Sequence, residues 1–388
     1  MSNCASDLAY ANQEEAFVAL EDTCGTLKFP TTAQRIYTVG PMDFGQEREL
    51  LEDMQIRAST SAFPGIRSRL LTGEFSFETY VKPSGSLGVA SEHDLLFQAA
   101  FGDKDVNPGA NVEYTLEDQL DSLSVFVKKG HTVFAMRGAV IESVEFVIAG
   151  DAIATLRWSG KFMERLWAGE VPALDTCGIA KATITLAATG ALRYTAGMRV
   201  EVGTDNNSGA GYLITGVNYT NNTITISPTL VTNQGTNPTI YPWWPVGGAE
   251  VGEPAHGKLG LVTVSGQPAI VTAANVTLTN NVKFYDNEKN NTWTAERFGR
   301  PGKRSVEGSL TVFFLKQGPS YFYRADYRIT DALIIPVGNV NGKIMEISIP
   351  YAQYKAPKVT GTEEFQQEIS FIGVASAALN DEAKVTFK

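Results

Sequence analysis

Cysteine and histidine are scarce in this chain of 388 residues, which contains three of each. The cysteines Cys4, Cys24 and Cys177 form no Cys-x-x-Cys pair, and an odd number cannot complete a disulfide framework. We therefore expect reduced thiols and folding in a cytosol. His131 and His256 have no metal-ligating partner at a usable spacing, so no metal site is predicted.

Positive charge is also in short supply, because 32 Lys and Arg face 42 Asp and Glu, a net charge of -10. Tight, non-specific binding to nucleic acid depends on neutralising phosphates with basic residues, so this balance disfavours a protein that grips DNA. Charged residues make up 19% of the chain, below the roughly 25% of an average soluble domain. Much of the surface is therefore expected to be neutral and polar, or to contact other protein.

Long apolar runs are absent as well, since no segment approaches the roughly 18 residues that a membrane helix needs. The amino-terminal stretch MSNCASDLAY lacks the basic and then apolar pattern of a secretory signal. We expect a protein that is neither exported through a signal peptide nor embedded in a bilayer.

Apolar and polar residues alternate with period two in many short segments, for example 144–148, 182–186, 223–227 and 345–349. This period places each residue type on one face of a strand. With 36 glycines and frequent turn residues between the segments, the chain is predicted to be mainly antiparallel β. The best helix candidate is 91–100, capped by Ser91.

Two parts of the chain resemble each other. Residues 64–68, 73–77 and Lys82 have counterparts in 301–305, 308–312 and Lys316, at offsets between 237 (301 − 64) and 234 (316 − 82). Further on, 138–160 parallels 342–373. A repeat of this length predicts two related β domains in tandem.

A third unit is predicted between the copies, where charge falls and Gly, Asn and Thr increase. Its expected strands, 182–186, 198–202, 211–217 and 223–227, fit a small barrel or sandwich. The tryptophans of the following connector, Trp243 and Trp244, are predicted to pack it on its neighbour. The predicted organisation is an N-terminal arm (1–34), a first domain (35–168), an inserted small β domain with its connector (169–262) and a second domain (263–388).

Catalytic patterns are weak. Residues 252–258 have the Gly and Lys spacing of a phosphate loop, but Leu259 replaces the magnesium-binding Ser or Thr. Glu92, His93 and Asp94 are adjacent, and adjacent residues of a helical turn do not converge on one substrate. No Gly-x-Ser-x-Gly occurs, and nothing selects a pair among the many carboxylates. We predict no enzyme, no catalytic residues and no cofactor.

One charge feature is unusual in this acidic chain. It is a basic cluster in the first repeat and its counterpart in the second: Arg57, Arg67 and Arg69, and Arg297, Arg300, Lys303 and Arg304. A nucleic-acid patch would need interleaved aromatic residues and a positive domain, whereas ion pairs between subunits need only acidic partners. The second interpretation is favoured.

The repeat carries a resemblance to a known family. Segments 61–67 and 72–83, the helix at 92–102 and segment 140–146 look like tail tube proteins of long-tailed, siphophage-like bacteriophages. The resemblance covers about 35–165 well and 265–388 more weakly, and the middle unit is similar to insertions in some members. It implies two tube domains, each a β-sandwich or barrel with a flanking helix.

The resemblance also implies a structural virion protein, the major tail tube subunit, which polymerises into stacked rings around the channel for genome ejection. A duplicated member would form trimeric rings, since three chains of two domains give six tube domains. Implied partners are further copies of the chain, a tape measure protein, a tail terminator and viral double-stranded DNA in transit without tight binding. Assembly in the host cytoplasm is implied, and no membrane is involved.

Subunit and ring-stacking contacts are expected at Arg57, Arg67, Arg69, Glu74, Arg297, Arg304 and Glu307, which flank the loop and strand shared by both repeats. The insert, about 170–260, is expected on the outside of the tube. The alternative function is a β-sandwich module for carbohydrate binding or adhesion, with Tyr241, Trp243 and Trp244 as a stacking platform.

Overall fold

The structure, a computed structural model, describes residues 10–52, 54–55, 65–285, 294–314, 320–361 and 364–388, with backbone alone at 66–69. The first half of the chain contains α1 (Asp94–Phe101) and twelve strands. These are β1 Glu15–Leu20, β2 Arg35–Ile36, β3 Asp43–Gly45, β4 Arg48–Leu51, β5 Ile66–Leu70, β6 Gly73–Tyr80, β7 Gly102–Asn107, β8 Asn111–Leu116, β9 Leu123–Lys129, β10 Thr132–Ala149, β11 Thr155–Phe162 and β12 Glu164–Ala168.

The insert and the second half follow. The insert has β13 Val171–Pro172, β14 Thr183–Thr185, β15 Arg199–Val202, β16 Tyr212–Asn218, β17 Thr223–Ser227 and β18 Thr239–Pro242. The second half has α2 (Tyr321–Asp326) and β19 Thr263–Val264, β20 Gln267–Pro268, β21 Val271–Thr279, β22 Lys283–Tyr285, β23 Arg297–Gly299, β24 Ser305–Phe313, β25 Thr330–Val337, β26 Met345–Tyr354, β27 Lys358–Thr360, β28 Gln366–Gly373 and β29 Lys384–Phe387. Short 3-10 helices occur at Ala11–Gln13, Thr32–Gln34 and Gly190–Arg193.

The mainly β prediction is confirmed, and local differences have physical reasons. The helix begins at Asp94, not at 91, and its N-cap is His93, which makes no side-chain capping bond. Residues 15–20, inside the predicted N-terminal arm, form β1 and pair along their whole length with β9. They do so because 16–19 are apolar and buried.

The two halves repeat the same order of strand pairings. β1 pairs with β9 as β19 pairs with β25, and β3 pairs with β6 as β21 pairs with β24. The hairpins β4–β5 and β22–β23 precede β6 and β24. β11 lies between β6 and β10, and β28 lies between β24 and the end of β26. The order of strand pairings is therefore similar in the two halves.

One antiparallel sheet runs through both halves, in the order β3-β6-β11-β10-β21-β24-β28-β27. The long strand β10 makes this continuity. Its first part pairs with β9 and β12, and its last part with β11 and β21. Between them the strand is irregular at Gly138, where a φ of 61° favours glycine and where a Cβ would lie 2.5 Å from the Met163 sulfur.

The main core lies on the inner face of this sheet, against α1 and the strands β8, β9, β25 and β26. Phe97 of α1 is at its centre, where its ring contacts those of Tyr114, Phe146, Trp158 and Phe387. Phe387 belongs to the second half, and β29 also pairs with β8 of the first. The two halves therefore share one core.

The insert forms its own six-stranded sheet, β13-β18-β15-β16-β17-β14, around a second core. The four strands expected there occur within two residues of their predicted bounds. Phe17 and Phe126 of the first half enter this core. In the described part of the chain no helix has the length and apolar character needed to span a membrane.

Candidate assembly surface

The outer face of the eight-stranded sheet is mainly polar. In β6 the residues Phe75, Phe77 and Thr79 are buried, while Glu74, Ser76 and Glu78 alternate with them. Because side chains directly opposite each other share a face, the pairing registers extend this polar row across the sheet. It continues through Ser159 and Ser143, then Thr279, Thr277 and Asn275, then Glu307 and Ser309, and finally Ser370.

Acidic side chains outnumber basic ones on this face. The alternating positions carry Asp43, Glu74, Glu78, Glu145, Glu307 and Glu368 against Arg157, Lys161 and Lys358. Arg157 lies 3.4 Å from Glu145 and 3.8 Å from Glu78. Lys161 lies 2.6 Å from Glu142, next to the face. Two of these three cations are thus paired with acids. A fourth, Lys355, lines the face beside Glu307 and Ser370, and acids still outnumber bases.

The face repeats between the halves. Glu74 lies opposite Gly45 and Lys161, and Glu307 occupies the same place opposite Thr277 and Ile372. One residue further along each strand, a glycine faces a phenylalanine in both halves: Gly160 opposite Phe75, and Gly308 opposite Phe371. In each pair the ring covers the glycine, which has no Cβ to obstruct it.

The predicted contact residues lie at three separate places. Arg67 and Arg69 belong to β5, and Arg297 belongs to β23, so these arginines lie on the two equivalent hairpins. Arg57 lies outside the described residues. Glu74 and Glu307 are exposed on the polar face. The hairpin arginines therefore lie at equivalent places in the two halves, and so do the two glutamates. The structure does not bring the arginines and the glutamates together in one site.

Arg304 differs from the other predicted residues because its side chain is only 6% exposed. Its guanidinium donates to the carbonyl oxygen of Glu117, to Asn380 and, at 3.2 Å, to Glu382. Its neighbour Arg300 also donates to the Glu117 carbonyl. The bonds to Glu117 join the second half to the first within one chain, so substitution of Arg304 would disturb the protomer itself. Its role in contacts between subunits stays a prediction.

Sequence reasoning did not single out the ends of the sheet. In the described residues β3 pairs only with β6, and β27 pairs only with β28. Asp43 of β3 and Lys358 and Val359 of β27 are exposed there. The similarity of the two halves identifies these strands. β3 corresponds to β21 and β27 to the last part of β10, and β21 and β10 pair with each other inside the chain.

The two tryptophans of the connector are packed against protein, as predicted, and are each 8% exposed. Trp243 donates to the Gly209 carbonyl at 2.8 Å and packs edge-on against Phe29. Trp244 donates to Glu15 and packs edge-on against Phe17 of β1. A sugar needs an open ring face on which to stack, so these rings do not form the platform of the alternative carbohydrate-binding function.

A buried polar cluster joins the connector to the start of α1. The Lys82 ammonium contacts Glu92 at 3.3 Å and also contacts Glu250, while both Lys82 and Glu92 are 3% exposed. Burial raises the pKa of Glu92 despite the nearby lysine. Burial, with a smaller contribution from Lys82, lowers the pKa of His93 to about 3. These groups hold the connector in place, and no group of three or more metal-binding side chains occurs among the described residues.

The family model for phage tail tube proteins matches residues 11–371. The match spans the first half, the insert and most of the second half. No curated protein matches the sequence.

Proposed function

Because the chain belongs to the phage tail tube protein family and is a structural tail tube protein of the virion, we propose that its copies polymerise into stacked rings around a channel for viral DNA. The observation that carries this proposal is the largely polar, eight-stranded sheet, whose end strands β3 and β27 each pair on one side only within the described residues. Unpaired strand edges promote association, and a closed ring pairs every edge.

Rings of three chains fit this sheet. Each half contributes four strands, so three chains would supply 3 × 8 = 24 strands. At about 4.8 Å between strands, 24 strands give a circumference of about 115 Å and a backbone diameter of about 37 Å. This diameter leaves room for a DNA duplex after side chains are added. For the domain organisation, we propose two tandem tube domains in each chain, so that three chains form a ring of six tube domains.

The polar face is proposed to line the channel. A basic wall would bind DNA by releasing counterions from its phosphates, whereas an acidic and hydroxyl-rich wall leaves the duplex mobile. Exposed Glu74, Glu307 and Glu368 are the residues of this wall that would repel phosphates. At physiological salt the repulsion extends about 8 Å from the wall, so it acts as DNA passes without preventing entry.

The hairpin arginines are proposed to contact the next ring. β4–β5 and β22–β23 each form a two-stranded sheet apart from the main sheet, at equivalent places in the two halves. Arg67, Arg69 and Arg297 would meet acidic residues of the neighbouring ring, together with Arg57. The insert is proposed to lie on the outside, because it is built on the β12 side of the first half and has its own core.

The remaining proposals rest on family membership. They are a siphophage-like tail, assembly in the host cytoplasm, and contacts with a tape measure protein and a tail terminator. We propose no reaction and no cofactor for this chain.

Electron microscopy of the purified full-length chain tests the proposal. We expect rings or tubes in negative stain, with a smallest closed species of three copies by light scattering. A matched binding measurement with double-stranded DNA at physiological salt should show no tight complex. A protein that stays monomeric at every concentration and salt condition would contradict polymerisation, and hexameric rings of whole chains would contradict the trimer.

A further inference from the structure

We propose that successive chains join head to tail through β27 of one copy and β3 of the next, in the register that β10 and β21 use inside each chain. This inference rests on the proposed function and specifies which strands, residues and register form the contact. The joint within the chain, where the last part of β10 pairs with β21, is called the internal seam. The proposed joint between chains is called the external seam.

The register follows from the repeat. Aligning Glu74 with Glu307 places Gly45, Phe44 and Asp43 on the positions of Thr277, Val276 and Asn275, their counterparts in β21. The same alignment, followed through β11 and β28, places Lys358, Val359 and Thr360 on the positions of Glu145, Phe146 and Val147.

The internal seam then gives each external pair. Thr277, Val276 and Asn275 face Glu145, Phe146 and Val147 in the internal seam. By the same pairing Gly45 would face Lys358, Phe44 would face Val359, and Asp43 would face Thr360. The strands are antiparallel in both cases.

The apolar residues of the two seams correspond. Phe146 and Val276 face each other across the internal seam, on the side of the main core, and each is 1% exposed. Their counterparts are Val359, which is 44% exposed, and Phe44, which is half-buried. Each edge strand thus presents one apolar side chain at the position where the internal seam buries one. Joining β27 to β3 would cover both.

The charged residues also correspond, and they define direction. In the internal seam the amide of Asn275 donates to the carboxylate of Glu145 at 2.5 Å. Asn275 and Glu145 are diagonal neighbours, because each lies two residues from the other's direct partner. Their external counterparts, Asp43 and Lys358, would lie on the same diagonal, have opposite charges and are both exposed. Pairing β27 with another β27 would bring two Lys358 side chains together, and pairing β3 with β3 would bring two Asp43 side chains together. Like charges at such positions oppose these symmetric pairings and favour the head-to-tail one.

A charge swap tests the register. Asp43→Lys and Lys358→Glu should each raise the protein concentration needed for ring formation at least about tenfold, a change that corresponds to about 1.4 kcal/mol. The double variant restores opposite charges and should return assembly to within a few-fold of the natural chain. Asp105→Lys, an exposed change on β7 away from both edges, is the matched control and should leave assembly unchanged. Failure of the double variant to recover, when both single variants assemble poorly, would overturn the Asp43–Lys358 pair.

Cysteine cross-linking provides a readout that does not depend on assembly yield. In a Cys4→Ser, Cys24→Ser background with Cys177 left buried, the variant Phe44→Cys, Val359→Cys should oxidise to covalent dimers and trimers. A mixture of the two single-cysteine variants should give dimers alone, and each single variant by itself should give none. Directly opposite residues of paired strands have Cβ atoms about 4.5–5.5 Å apart, close enough for a disulfide after a small adjustment.

The outcomes separate the seam from the proposed function. Rings in the microscope without a 44–359 cross-link would overturn the seam and leave polymerisation intact. A cross-link from Val359→Cys alone would show a symmetric contact and would also overturn it. If the natural chain forms neither rings nor tubes, the proposed function itself fails.

Discussion

Asn280 joins the two halves at one buried point, and its replacement by alanine should destabilise the chain. The side chain is fully buried immediately after β21. Its amide nitrogen donates to the carbonyl oxygen of Ala100 at 2.9 Å and to that of Ile141 at 3.2 Å. Its backbone nitrogen donates to the Glu142 carbonyl at 2.7 Å, a bond that the substitution keeps.

The size of the effect follows from the bonds that are lost. Each of the two side-chain hydrogen bonds contributes about 1 kcal/mol, and a buried carbonyl left without a donor costs about 1–3 kcal/mol. The side-chain oxygen of Asn280 has no partner among the described residues, so its removal recovers part of this cost. We expect Asn280→Ala to lower the free energy of unfolding by about 2 kcal/mol. Asn280→Asp should lower it further, because it loses the same two bonds and also buries a charged carboxylate against two carbonyl oxygens.

Urea unfolding of the unassembled protein, followed by tryptophan fluorescence, measures both variants. Asn221→Ala, an exposed change in the insert, is the matched control and should stay within about 0.5 kcal/mol of the natural chain. Hydrogen exchange should also increase at β21 and at the last part of β10 in Asn280→Ala. A loss below about 0.5 kcal/mol, or an aspartate variant as stable as the alanine variant, would refute the assignment of Asn280 as a donor that joins the halves.

Two other predictions concern single positions. His93 has a pKa of about 3 in the folded chain and about 6.5 in the unfolded chain. The free-energy cost of keeping His93 uncharged in the folded chain is therefore absent above pH 6.5 and grows as the pH falls. At pH 5 it should amount to about 2 kcal/mol, which His93→Leu removes in a comparison of unfolding at pH 7.5 and 5. Glu92, whose pKa is raised, acts in the opposite direction in both proteins, so equal acid sensitivity of the two would contradict the prediction. Gly308→Ala places a Cβ 2.4 Å from the Phe371 ring and from the Asn275 carbonyl. It should cost about 1–3 kcal/mol, whereas Gly178→Ala, where a Cβ meets open space, should be neutral or slightly stabilising in the same unfolding assay.

Local patterns predict local structure well. The alternation at 223–227 marks the strand Thr223–Ser227 to the residue, because its isoleucines are buried and its threonines are not. The tryptophans of the connector pack the insert on its neighbour. This is expected, because large aromatic side chains are seldom left exposed to solvent. The sequence predicts that α1 begins at residue 91, three residues before its observed start at Asp94, because the residue types of 91–93 suit a helical turn. Ser91 and His93 are instead buried ahead of the helix.

The assembly surface is harder to predict because it depends on pairings between distant strands. The internal seam joins 143–149 to 273–279, and no local pattern in either segment identifies the other. Asp43 and Lys358 are single charges in strands of three residues, which carry too few positions to show alternation. Arg304 belongs to the same basic cluster in the sequence as Arg297. The sequence therefore could not distinguish the buried ion pair of Arg304 with Glu382 from an exposed charge.

Joining two units in one chain explains why the two seams differ in chemistry. In a ring of three such chains, half of the seams would be internal and held together by the covalent connection, so they need no charge to select a partner. The internal pair Asn275–Glu145 accordingly contains one charge and one amide. The proposed external seam would have to bring separate molecules together in one direction and disfavour symmetric pairing, which opposite charges achieve. On this reasoning Asp43 and Lys358, which stand at the positions of Asn275 and Glu145 in the proposed register, would direct assembly. Replacing Asp43 with asparagine and Lys358 with glutamate would then remove that direction.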